Sequence, residues 1–140
     1  KPEDTMRVIR DGWLYTGDLA RMDDDGYLYI AGRKKELIIV GGLNVYPGEV
    51  ERVLLEHPSI LEAAAFGVPD HARGEAVWAA VVMRPGMSAG ERELQAFCRE
   101  RLASYKAPRS IIIRDELPKN MLGKVVRRQL REEMELESIA

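Results

Sequence analysis

The succession of apolar segments and chain breakers leaves few folds open to this sequence. "WLYTGDLARM" and "YLYIAG" are rich in aromatic and branched residues, with "DDDG" between them, and read as a hairpin over residues 13 to 31. "ELIIV" then reads as a short buried strand, and Gly41-Gly42 offers the positive φ needed for a sharp reversal. "PGEVERVLLEH" opens a helix with Pro47 in its first turn, Glu49 near its positive end and Val50, Val53 and Leu54 as its apolar stripe; Pro58 stops it. "ILEAAAFGV" and "EAVWAAVVM" follow as two strands around the loop "PDHARG". "SAGERELQAFCRERL" is a helix with a capping box of Ser88 and Glu91 and apolar positions Leu94, Phe97, Cys98 and Leu102. "SIIIRDEL" is a further strand, and a last helix, "VVRRQLREEMELE", starts just after "PKNMLGK". The expected class is α+β: a small, mostly antiparallel sheet with about three packed helices, preceded by a β-hairpin.

That hairpin has no helix of its own to cover it, and an isolated hairpin is marginal in water. Residues 1–34 therefore read as the tail of a larger domain, and residues 35–140 as a small domain of their own. The opening "KPEDTMRVIRDGW" likewise reads as a start in mid-protein.

Composition narrows the partners. With 21 basic against 23 acidic residues, bulk charge argues against a dedicated nucleic-acid binder, so any basic site is local. No apolar run approaches the roughly 18 residues of a membrane span. A single cysteine, Cys98, excludes an internal disulfide and suits a reducing, cytoplasmic setting. Within its helix it reads as a small buried hydrophobe, since neither a neighbouring histidine nor a nucleophile motif accompanies it.

Local charge is more informative. Lys124 stands before the last helix, preceded by a glycine that leaves its approach open. A cation there opposes the helix dipole unless it meets an anion; a solvated surface lysine is the competing reading. Arg33, Lys34 and Lys35 flank "ELIIV", either as edge-strand charges that discourage aggregation or as a fork for a phosphate or ribose. Asp18, two residues after Thr16, is either a turn aspartate or an acceptor for sugar hydroxyls. Asp23 to Gly26 lack the alternating spacing of a calcium loop and fit a tight turn, so no metal site is expected there. His57, at the carboxyl end of its helix, is read as structural.

Taken together, "GWLYTGDLA", "DGYLYIAGRKKELIIVGGLNVYPGEVE", "VPDHARGE", "YKAP" and "LPKNMLGKVVRRQLRE" resemble, in order and with natural spacings, the carboxy-terminal part of the adenylate-forming enzymes. That superfamily holds acyl-CoA synthetases, adenylation domains of peptide synthetases, and firefly luciferase. The resemblance implies a two-step reaction in which a carboxylate and ATP give an acyl-adenylate and pyrophosphate, after which a thiol displaces AMP. It implies that the small domain rotates between the steps. By the same likeness Asp18 would hold the ribose hydroxyls, Arg33 would contact the ribose and phosphate region, and Lys35 would be the hinge. Lys124 would bridge the carboxylate and the α-phosphate in the first step only. Gly41, Gly42 and Leu43 would line the path of coenzyme A, and Arg73 would meet its nucleotide phosphates.

The family's phosphate loop of the type "TSGTTGxPK", its acyl pocket and its adenine and Mg2+ ligands have no counterpart in these residues. The expectation is a carboxy-terminal fragment of an acyl-CoA synthetase for a fatty or related organic acid, inactive alone, with Mg2+ held mainly by the amino-terminal domain. "GRKKELI" and "LNVYPGEVE" lean towards CoA ligases. Two alternatives remain: an adenylation domain that loads a carrier protein, and a non-catalytic nucleotide- or CoA-binding module.

Overall fold

Residues 2–139 are described by the computed structural model, and they separate into two units, one up to Lys35 and one from Glu36. In the first unit a short helix, α1 (Pro2–Val8), leads into β1 (Ile9–Arg10), which pairs with β2 (Trp13–Leu14) across Asp11 and Gly12. The expected hairpin is formed by β3 (Asp18–Met22) and β4 (Leu28–Arg33), in register from Asp18↔Arg33 to Met22↔Leu28. Its first arm is shorter than the sequence suggested: Gly17 at φ +78° turns the chain, so Trp13 and Leu14 pair backwards with β1 instead of extending β3. Asp23 closes the "DDDG" turn, its Oδ1 accepting the amides of Asp25 and Tyr27 at 3.1 and 2.9 Å. The Tyr27 amide holds its carboxyl below the usual carboxylate range. No described side chain of this unit is buried, and Trp13, Tyr27, Leu28 and Ile30 are all exposed.

The second unit begins in a 3-10 turn over Lys34–Glu36. β5 (Ile38–Val40) and β6 (Leu43–Val45) form a tight hairpin whose reversal is made by Gly41 and Gly42, at φ +58° and +82°. α2 (Pro47–Leu55) follows, burying Val50, Val53 and Leu54 as its sequence stripe requires. β7 (Ile60–Asp70) and β8 (Gly74–Met83) then make a long antiparallel ladder that ends at Asp70↔Gly74. The loop read as "PDHARG" is thus half strand, and only residues 71–73 turn. α3 (Glu91–Arg99) carries the chain to β9 (Ser110–Arg114), and α4 (Arg127–Ile139) closes the fold. The sheet order is β6-β5-β8-β7, with β9 beside β8 in parallel register from Trp78↔Ser110 to Val82↔Arg114.

Alternation along β7, β8 and β9 divides the core in two. Ala65, Val77, Ala79, Val81 and Ile111 face α2 and α3, packing with Val53, Leu54, Leu94 and Cys98. Ala64, Phe66, Ala80, Val82 and Ile112 face the other way, onto Leu117, Leu130 and Met134. A fully buried leucine such as Leu54 or Leu130 contributes on the order of 2 kcal/mol of burial.

Three local readings are corrected. The cap of α3 is Gly90, whose N–H donates to Glu93 at 3.3 Å, in place of the Ser88–Glu91 box, because Glu91 is engaged by β9. The strand read as "SIIIRDEL" ends at Arg114. α4 starts at Arg127, not directly after Lys124, because Val125 first makes a bridge with Lys119. His57 lies just past α2, buried, accepting the Ser59 amide at Nδ1 (3.3 Å) and meeting the Phe97 ring edge-on. Cys98 is buried, and that burial pushes its thiol up to about 11.

Candidate functional site

In the first unit the candidate nucleotide residues form a cross-strand pair. The register of β3 and β4 sets Asp18 opposite Arg33, and Arg33 Nε meets Asp18 Oδ1 at 2.9 Å. The Asp18 amide donates to Thr16 Oγ1 at 3.1 Å, and the Lys34 amide donates to the Gly17 carbonyl. The carboxylate is therefore fixed at the open end of the hairpin, with its side chain 29% exposed. Lys34 and Lys35 follow at once in the 3-10 turn, exposed.

The second unit brings Gly41 and Arg73 together. Val40 pairs with Gly74, and the Gly41 amide donates to the Arg73 carbonyl at 2.8 Å, so the Gly41-Gly42 turn and the 71–73 turn lie side by side. Added side chains at Gly41 or Gly42 would meet open space, so what these glycines provide is positive φ and bare backbone. Leu43, next in line, is exposed.

Beside Arg73 opens a cleft of about 680 Å³, whose polar lining includes Asp70, Arg99, Tyr105 and Arg109. Asp70 organises its rim, accepting the amides of Ala72 and Arg73 at 3.0 Å each and pairing with the Arg109 guanidinium. Burial pushes the Asp70 carboxyl up, but the two amides and Arg109 outweigh it and hold it below the usual range. Another wall is fastened by Lys106, whose ammonium meets both carboxylate oxygens of Glu49 at 2.8 and 2.9 Å and is held above its ordinary pKa by that contact. The "YKAP" segment is thereby bolted to the first turn of α2. Arg99, Tyr105 and Arg109 were not singled out from sequence. The cationic end of α3 and the "YKAP" segment are the only local signals, and their convergence depends on β9 lying parallel to β8.

Lys124 belongs to a separate turn. The Asn120 amide donates to the Lys124 carbonyl at 2.8 Å, while Asn120 Oδ1 accepts the amides of Leu122 and Lys124 at 3.0 and 2.9 Å. Gly123, at φ +77°, lets this turn close. Lys119 at its base is neutralised by Glu62 at 2.7 Å, whereas among the described residues Lys124 has no carboxylate partner. With α4 beginning at Arg127, the helix dipole does not hold Lys124; the Asn120 turn does. Met121 and Leu122 at the tip are exposed, a feature the sequence reading did not pick out.

The two groups are anchored in different halves of the core. Val125, next to Lys124, packs with Leu117 and Leu130 on the α4 side, whereas Val40 and Val77 of the cleft belong to the core under α2 and α3.

Residues 49–124 match the family described as AMP-binding enzyme C-terminal domain. Over 133 residues the chain is 55% identical to a long-chain-fatty-acid–CoA ligase of Bacillus subtilis, covering 95% of this chain and 24% of that relative. The structure superposes on anthranilate CoA ligase AuaEII in complex with anthranoyl-AMP at a TM-score of 0.90 and 36% identity, covering all of this chain and 28% of the other. ATP-bound MatB from Rhodopseudomonas palustris gives 0.85 at 41% identity, with 94% and 26% covered. The chain spans about a quarter of the length of the curated relatives it matches.

Proposed function

Because the chain belongs to the family of AMP-binding enzyme C-terminal domains, we propose that it is the carboxy-terminal part of an ATP-dependent acyl-CoA synthetase acting on a fatty or related organic acid in the cytoplasm. In the first half-reaction the substrate carboxylate attacks the α-phosphorus of ATP, forming the acyl–phosphate bond as pyrophosphate leaves. Negative charge gathers on the oxygens between the two reactants, and the Lys124 ammonium neutralises it without giving up a proton. Its want of a carboxylate partner among the described residues and its fixed turn support this role. Asp18 accepts the ribose hydroxyls, while Arg33 orients that carboxylate and meets the ribose and phosphate region. The Mg2+ that accompanies ATP is assigned to the preceding domain of the same enzyme. Among the described residues no three carboxylate, imidazole or thiolate groups gather as a donor set.

In the second half-reaction the sulfur of coenzyme A attacks the acyl carbon and AMP leaves. Gly41, Gly42 and Leu43 give the thin pantetheine arm a bare backbone to lie against, and Arg73 at the cleft takes the phosphates of its nucleotide end. A turn at Lys35 exchanges the two presentations. The observation that supports this reading is that the Lys124 turn is anchored beside the core under α4, whereas Val40 and Val77 of the Gly41–Arg73 cleft belong to the core under α2 and α3, so the two presentations are separate.

The test is pyrophosphate exchange and thioester formation by the full-length enzyme over carboxylic acids of increasing chain length. Acid-dependent exchange without CoA, and thioester only with CoA, is the expected result. An enzyme with no acid-dependent exchange would overturn the proposal.

A further inference from the structure

Three residues beyond Lys124, the side chain of Arg127 reaches two carboxylates at once. Its Nε and Nη2 meet Glu51 of α2 at 2.8 to 2.9 Å, and its Nη1 meets Glu36 at 3.0 Å. Glu51 is itself pinned, its Oε1 also accepting the Ala65 amide of β7 at 2.9 Å. Glu36 is the residue directly after Lys35 in the chain. One turn along α4, Arg131 reaches Glu75 at 3.3 Å, and the other oxygen of Glu75 accepts the Ile39 amide of β5 at 2.8 Å. The Glu75 carboxylate fills the space a side chain at Gly67 would need, a Cβ there coming within 2.7 Å of it.

An arginine at the first position of a helix is electrostatically misplaced unless anions answer it. Here Glu51 and Glu36 supply them, and the planar guanidinium serves both in a way a lysine does not. The short link back to Lys124 is also held: Val126 donates its amide to the Pro118 carbonyl, and half-buried Val125 packs against the core under α4.

We propose that Arg127 is a positioning residue for Lys124. Through Glu36 and Glu51 it locks the start of α4, and with it the Asn120–Lys124 turn, to the segment leaving Lys35. Rotation at Lys35 then delivers the ammonium to a fixed place instead of a loosely hinged one. The proposal rests on the roles assigned above to Lys124 and Lys35, and Arg127 itself touches no reacting atom.

The experiment uses the full-length enzyme with Arg127→Ala, Arg127→Lys and Glu36→Gln, beside Lys124→Ala. The readouts are adenylation kcat and KM, thioester formation from pre-made acyl-adenylate, and amide hydrogen exchange over residues 120–124. Arg127→Ala is expected to lower adenylation kcat about tenfold with little change in KM, to leave the thioester step within about twofold, and to speed exchange at residues 122 and 124. Arg127→Lys falls between it and wild type, because an ammonium keeps the charge but lacks the planar fork that meets both carboxylates at once. Glu36→Gln removes a surface carboxylate that no core packing depends on, and shows a smaller loss in the same half-reaction even if Arg127→Ala fails to fold. Unchanged adenylation and exchange in Glu36→Gln and Arg127→Lys, or equal loss in both half-reactions, overturns the proposal. If Lys124→Ala itself keeps full adenylation, the assignment of Lys124 fails, while faster exchange in the Arg127 variants still supports the clamp.

Discussion

Lys119 and Lys124 stand on one turn and have different fates: the first is neutralised by Glu62, and the second projects from backbone pinned by Asn120. That difference supports Lys124 as the group that meets developing charge. In the full-length enzyme Lys124→Ala is expected to slow adenylation by on the order of 10²-fold, the usual loss for one fixed electrostatic donor, and to spare thioester formation from pre-made acyl-adenylate. Single-turnover measurement of each half-reaction checks it, and equal losses would mark Lys124 as structural. Lys124 was visible in the sequence through its motif, but the reason first given for it was wrong, since the helix starts too late for its dipole to matter. Asp18 and Arg33 were named separately, and only strand register shows them as a pair. Arg99 and Arg109 carry only weak local signals, because they come to line the cleft beside Arg73 from segments far apart along the chain.

Among the elements, α3 and β9 are tied by the packing of Leu94 and Cys98 on Ile111 and by the Glu91 carboxylate. Glu91 Oε1 accepts the Ile111 amide at 3.0 Å and the Ser110 hydroxyl at 2.7 Å, and those bonds, the Ile111 amide first, hold its carboxyl below the usual range. A depressed carboxyl stabilises the fold above its unfolded pKa and loses that contribution as pH falls through the folded one. Glu91→Gln is therefore expected to lower stability near neutral pH by about 0.5–1 kcal/mol, a low value for an exposed carboxylate. The gap to wild type should close as pH falls from the ordinary glutamate range, near 4.5, towards the lower folded pKa. Thermal melts of both proteins across that acid range check it; a gap that widens on acidification would refute it. Glu91 also shows why the helix cap was misread: a Ser-x-x-Glu spacing reads as a capping box, but the glutamate had a better partner on a strand that lies beyond the local window. Strand existence followed from apolar runs, whereas strand ends did not, because β7 and β8 continue past their apolar runs into Asp70, Gly74 and Glu75, whose pairing no local pattern reports.

For the molecule as a whole, the division falls between Lys35 and Glu36, inside a 3-10 turn. A pivot at Lys35 requires freedom in its backbone, and proline there fixes φ near −65° and restricts Lys34 as well. If the adenylating orientation is the one frozen, full-length Lys35→Pro is expected to keep pyrophosphate exchange while losing thioester formation. Thioester formation near the wild-type rate would show that the chain does not turn there. The α+β class was legible from the order of segments, but the parallel placement of β9 was not, since no local pattern reports which neighbour a strand chooses. That placement has a kinetic consequence. The β7–β8 ladder closes over three residues, so it assembles from near neighbours and early. β9 joins β8 only after the chain has passed through α3, and β5 touches β8 at a single pair, Val40↔Gly74. The cleft between these strands is therefore expected to open before the β7–β8 hairpin does, and amide hydrogen exchange faster at residues 104–109 than along the hairpin would show it.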